Sequence, residues 1–169
     1  MNYPEKARRV IDLEIEELQR LRERIGDPFA QAIQRIMETL NERRKLVVCG
    51  VGKSGNIGRK LAATLNSTGA TTVLLNAQDA LHGDLGMIDE GDLAILLSYS
   101  GETSELLSLL PHLRRQSLTL IAITGNAESP LARNADLTLD VNVSREACPL
   151  NLAPTSSTTT TLVLCDALA

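Results

Sequence analysis

The chain has 169 residues, enough for one domain with a real core, and 43% of it is apolar, nearly all aliphatic. With no Trp, one Phe and two Tyr, it lacks the aromatic platforms on which nucleic-acid bases stack. Seventeen basic residues against 21 acidic ones give a net charge of −4, which offers a phosphate backbone little attraction, so no nucleic-acid partner is expected.

From about Pro4 to Ile25, the spacing of Val10, Leu13, Ile15, Leu18, Leu21 and Ile25 predicts one long amphipathic helix. Its length favours an oligomerisation role, in a homodimer or homotetramer, over simple packing on its own sheet. Gly26-Asp27-Pro28 breaks it, with Asp27 as the expected cap and Pro28 in the next first turn. A second helix follows to about Asn41, with Phe29, Ile33, Ile36, Met37 and Leu40 on its apolar face. Residues 1–44 thus read as a helical extension packing on the domain or the oligomer, and 45–169 as the main domain.

Lys45 to Gly50 is an apolar strand, followed by a glycine-rich turn over Gly50–Gly58 and a helix from Arg59 to Ser67. Thr71–Asn76 is a second strand, and a loop from Ala77 to Asp89 carries His82-Gly83-Asp84. Leu93–Leu97 is a third strand, running directly into Ser98-Tyr99-Ser100-Gly101-Glu102-Thr103-Ser104-Glu105 and then a helix to about Gln116. Leu118–Thr124 and Leu137–Val141 are the last strands, separated by a short helix over Ser129–Arg133. An irregular block, Val143–Pro154, precedes a Thr-rich helix from Thr155. Strands alternating with helices predict an α/β fold, a three-layer αβα sandwich on a five-stranded parallel sheet.

Cys49, Cys148 and Cys165 are too far apart for a ligand pair, and two lie in apolar elements, which fits buried thiols in a reducing cytoplasm. The charged N-terminus has no signal-peptide core, and no apolar run is long enough to span a bilayer, so no membrane association is expected.

Two turns could carry chemistry. Gly50, Gly52 and Gly55 match G-x-G-x-x-G, but Asn76 stands where a dinucleotide fold needs an acid, and Val47 where a Walker loop needs its first glycine. What remains is a backbone open to close approach, with Lys53 and Ser54 beside it. In the second turn, hydroxyls crowd a helix start whose free amides and dipole suit a phosphate. Its plainer reading is an N-cap with a capping-box glutamate. An aldose–ketose isomerase also needs a base and groups that stabilise an enediolate, for which Glu105 and Glu146 are candidates. Taken alone, Glu105 complements the helix dipole, and Glu146 is a loop glutamate with no evident structural duty.

Together, Gly50-Val51-Gly52-Lys53-Ser54-Gly55 and Ser98–Glu105 resemble the two phosphate-cradling turns of the sugar isomerase (SIS) superfamily. Three further stretches are similar to its arabinose 5-phosphate isomerase branch: Ala80–Met87, Glu146–Leu150 and Leu152–Thr159. The resemblance runs from about Val47 to the last residue. It implies a flavodoxin-like sheet with N-terminal helices, and conversion of D-arabinose 5-phosphate to D-ribulose 5-phosphate through an enediol, in the pathway to 3-deoxy-D-manno-octulosonate (KDO) and lipopolysaccharide. It further implies that Ser54, Ser98, Ser100 and Thr103 hold the phosphate, with Gly52, His82 and Ser156 nearby. Lys53, Glu105 and Glu146 match active-site residues, with Glu146 as the base. No cofactor is required, and His82 matches a histidine that can bind inhibitory zinc. Other SIS isomerases and non-catalytic sugar-phosphate sensors are the alternatives. Relatives usually continue into a Ser-His-Pro-Gly-Gly segment and two CBS modules. The apolar helix ending at Ala169 lacks any stop signal, which predicts a truncated C-terminus. Tyr99 stands where relatives often have Asn or Gln.

Overall fold

A computed structural model describes residues 2–169. Five strands, β1 (Leu46–Gly50), β2 (Thr72–Leu75), β3 (Leu93–Leu97), β4 (Thr119–Thr124) and β5 (Leu137–Asp140), form one sheet of order β2-β1-β3-β4-β5. Every pairing is parallel, with Leu46 opposite both Thr72 and Leu93, Leu93 opposite Thr119, and Ile121 opposite Leu137. Such strands are covered on both sides, which is why they read as unbroken apolar runs rather than alternating ones.

Successive residues of each strand feed two separate cores. Leu46 and Val48 of β1, with Leu93, Ile95 and Leu97 of β3, face α1 (Tyr3–Arg24), α2 (Asp27–Asn41), α3 (Gly52–Ser67) and α6 (Ser156–Leu168). Val47 and Cys49, with Ala94 and Leu96, face α4 (Ser104–Arg115) and α5 (Pro130–Asn134). Both layers of helices and the sheet between them are therefore as expected. Burial pushes the thiols of Cys49 and Cys165 up to about 12, so both are inert packing groups.

The N-terminal helices depart in detail from the expected pattern. Gly26, not Asp27, is the N-cap of α2, and Asp27 lies in the first turn, where its charge complements the dipole. Met37 is 53% exposed, because α2 meets the sheet through Ala32 and Ile36. Along α1, Leu21 is buried, but Val10, Ile15 and Ile25 are exposed, because the helix touches its own chain on one side only. No helix among the described residues is long and apolar enough to cross a membrane.

The connection from β2 to β3 holds two short 3-10 turns, Ala80–His82 and Asp84–Met87. Its Ala77, Ala80 and Ile88 seal the same face as α4. From β1 the chain moves outward to β2 over one face, then returns past β1 to β3 over the other. The carboxyl ends of β1 and β3 therefore flank the point where the strand order reverses, the place where open α/β sheets bind ligands.

Candidate active site

Both expected turns open on that crevice. After β1 the helix begins at once, at Gly52, so Lys53, Ser54 and Gly55 form its first turn rather than a loop preceding a helix at Arg59. The glycines make this abrupt start possible. A Cβ on Gly55 would stand 2.7 Å from the carbonyl oxygen of Gly50, and one on Gly50 would meet the Ser54 backbone at 3.0 Å. Gly52 has φ +59°, in the left-handed region. Lys53 is exposed and Ser54 half-buried.

After β3, the hydroxyls turn inward before they turn outward. Ser98 is 3% exposed; its Oγ lies 2.8 Å from Thr103 Oγ1 and accepts the Gly101 N–H at 3.0 Å. Ser98 thus braces the turn. Thr103 is the N-cap of α4 by position, yet its hydroxyl is engaged with Ser98 and makes no capping bond. No capping box forms either: the Glu105 carboxylate accepts from its own backbone amide and from the Ser104 hydroxyl, at 2.9 Å. Those two bonds hold it below the usual carboxylate range. The exposed Ser100 hydroxyl accepts the Glu102 N–H at 3.2 Å. The first amides of α4 have no partner within the helix and face the crevice with Ser100 and Thr103 around them.

The third component is Glu146, and here the structure corrects the sequence reading, which found no structural duty for it. Its Oε2 accepts three bonds from the start of α6: Thr155 N–H at 2.7 Å, Thr155 O–H at 3.0 Å and Ser157 N–H at 3.2 Å. Half-burial pushes the Glu146 carboxyl up, but the donors of Ser157 and Thr155 outweigh it and hold the group below the usual range. One oxygen is thus fixed at the start of α6.

A cleft of about 210 Å³ is lined by Lys53 and Ser54 of the first turn, Tyr99 of the second, and Ser157 and Thr158 of α6; Ser98, Ser100, Thr103, Glu105 and Glu146 lie outside its lining. The structure brings Lys53 and Ser54 to the α6 start that clamps Glu146. Ser156 is elsewhere: it is fully buried, and Ser157 takes the place expected for it. The Ser157 Oγ is buried beside the cleft, near the Glu146 carboxylate. His82 also stands apart, exposed on the β2–β3 connection. No group of three His, Cys, Asp or Glu among the described residues could hold a metal ion. Thr155 and Ser157 were not singled out from sequence; their signal was their position at the start of a helix preceded by a loop glutamate. Tyr99 ties two parts together, its hydroxyl accepting the Val143 N–H at 3.2 Å.

Two helix starts of the kind that suit an anion, a lysine and a clamped carboxylate thus stand on this side of the sheet. Over 169 residues the chain is 50% identical to arabinose 5-phosphate isomerase KdsD of Pseudomonas aeruginosa, covering 51% of that protein. It is 49% identical over 163 residues to arabinose 5-phosphate isomerase GutQ of Escherichia coli K12, covering 50% of it. The chain thus spans about half the length of these curated relatives. A solved structure from E. coli CFT073, in complex with arabinose 5-phosphate, superposes with a TM-score of 0.87 at 38% identity, covering 99% of this chain and 89% of that one. Residues 39–169 match the SIS domain family, and the chain belongs to it.

Proposed function

We propose that the chain interconverts D-arabinose 5-phosphate and D-ribulose 5-phosphate. The observation that carries this reading is Glu146, anchored through Oε2 by three donors at the start of α6, whose Ser157 and Thr158 line a cleft together with Lys53 and Ser54. The names of the two curated relatives and the ligand of the solved complex supply the substrate.

In this reading the phosphate sits at the α4 start, held by amides, Ser100 and Thr103, with Ser54 on the opposite side and Ser98 keeping the turn in shape. Glu146 removes the proton from C2, breaking that C–H bond and forming an enediol. The proton returns to C1, and the hydroxyl proton passes from O2 to O1, so the aldose becomes the ketose. The Lys53 ammonium offsets the negative charge that develops on the two oxygens. Glu105 belongs to the same machinery from the α4 side. The route runs on carboxylates and lysine, without a cofactor. Its place is the cytoplasmic supply of KDO for lipopolysaccharide. The exposed Tyr3, Ile11 and Ile15 of α1 support assembly as a homodimer or homotetramer.

The test is conversion of D-arabinose 5-phosphate by this chain with a chelator present. Turnover that disappears in Glu146→Gln, with product binding retained, is the expected result. Stabilisation by the sugar phosphate without turnover would make the site a binding module, and normal turnover in Glu146→Gln would remove Glu146 from its role.

A further inference from the structure

Glu17 lies on α1, outside the residues that match the SIS family, and is 2% exposed. Its carboxylate accepts the Ser144 N–H at 3.1 Å and the Ser144 hydroxyl, and Arg20, half exposed, approaches it at 3.6 Å. One turn earlier, Glu14 accepts the Thr159 hydroxyl at 3.0 Å. Neither partner is an arbitrary part of the chain. Ser144 is two residues before Glu146, and Thr159 is one turn along α6 from Thr155, bonded to it by Thr159 N–H to Thr155 C=O at 2.9 Å. α1 therefore grips both sides of the Glu146 clamp: the loop that brings the carboxylate and the helix that holds it.

A carboxylate sunk into a helix interface is a poor source of stability, since burial strips its water and an apolar side chain of similar size would pack as well or better. It is, however, well suited to fixing a backbone amide in one place. We propose that Glu17 is a positioning residue for the reaction, holding the Ser144–Glu146 segment in register with the α6 start so that Glu146 stays clamped there. The inference rests on the reading of Glu146 as the base. It makes the N-terminal helix part of the active-site machinery.

The variant to make is Glu17→Leu, which keeps an apolar contact with the rest of the fold and leaves the exposed Ser144 to water. Glu17→Gln, which retains an acceptor for the amide, is the second variant, and Glu16→Gln on the solvent side is the control. Carbon-13 titration of the Glu146 carboxyl in the full chain is the first readout. Loss of register frees the carboxylate from Thr155 and Ser157, so its pKa rises towards the ordinary range. Mere removal of a neighbouring negative charge would lower it, so the sign of the change separates positioning from electrostatics. With D-arabinose 5-phosphate as the probe, kcat falls roughly 10- to 100-fold while KM stays within about twofold. Glu17→Gln shows the same changes in smaller degree. An unchanged or lowered Glu146 pKa in folded Glu17→Leu overturns the proposal. If Glu17→Leu does not fold, Ser144→Ala, which removes one of the two bonds to Glu17 and no charge, decides it by the same sign. Absence of turnover in the parent chain would sink the isomerase reading, while the titration still decides whether Glu17 holds the loop.

Discussion

The turns after β1 and β3 face the same crevice but are built on different physics. The first is shaped by missing side chains: Gly50 and Gly55 let a helix backbone lie against the strand end, with the carbonyl of Gly50 where a Gly55 Cβ would have to be. The second is shaped by side chains present: Ser98 and Thr103 bond to each other beneath the loop, and Ser98 also holds the Gly101 amide. Gly101 is needed there too, at φ +67°: a Cβ on it would stand against the Ser129 Cβ and the buried Ser129 hydroxyl that caps α5. Two anion-facing helix starts can therefore differ in how they tolerate change. The first turn fails when an atom is added; the second fails also when a hydroxyl is removed.

The largest effect expected from this contrast is that of Gly55→Ala. The obstructing atom is backbone, so strand and helix must separate, costing about 2–4 kcal/mol. Thermal melting should fall by roughly 5–15 °C; a melting point within a degree or two of the parent would show that the first turn is not sterically tight. Next comes Ser98→Ala, which adds no atom and removes only the buried hydroxyl. Leaving the Thr103 hydroxyl without its partner, while the Gly101 amide keeps only the Ser98 carbonyl at 3.1 Å, costs about 1–3 kcal/mol. A neutral result would mean that the second turn, like the first, is held by backbone shape alone. The smallest effect is electrostatic and belongs to the third component. Because the Glu146 carboxyl is held below its usual range, it favours the folded chain above the unfolded carboxyl pKa of about 4.3, and that contribution is lost as pH falls through the lower folded value. Melting curves of the parent and Glu146→Gln should therefore diverge above roughly pH 4.3 and converge in more acidic solution. Parallel curves would mean that the Thr155 clamp does not favour the ionised form.

The sheet was legible because parallel strands buried on both faces are bare apolar runs, and Leu93–Leu97 or Thr119–Thr124 have no other reasonable reading. The start of α3 was not. Glycine is a poor helix former, so Gly52, Gly55 and Gly58 read as turn, and only the nearby strand backbone and Val48 show why they are helical. The duty of Glu146 was hidden for another reason: its partners Thr155 and Ser157 come nine and eleven residues later, across a loop whose path no local pattern specifies. Ser156 and Ser157 are chemically identical neighbours, and which of them faces the cleft depends on the rotational phase of α6, set by its packing on α1 and α3. Glu17 was invisible as a functional residue because a charged position in an amphipathic helix is normally read as its wet side.

The grip of α1 on the Glu146 segment also bears on how the molecule is made. The bonds from Ser144 to Glu17 and from Thr159 to Glu14 span 127 and 145 residues of chain. The strand pairings are far more local, β1 meeting β3 across a helix, a strand and a connection. Closing the longer loops loses more chain entropy before any contact offsets it, so they join late in folding, after the sheet has given both ends a surface to dock on. During synthesis α1 emerges well before α6, and its α6-facing side must wait uncovered until that helix leaves the ribosome. A population with complete secondary structure can thus still contain molecules whose proton-transfer geometry has not been assembled. For this fold, the signal that reports the sheet and the signal that reports competence follow different clocks.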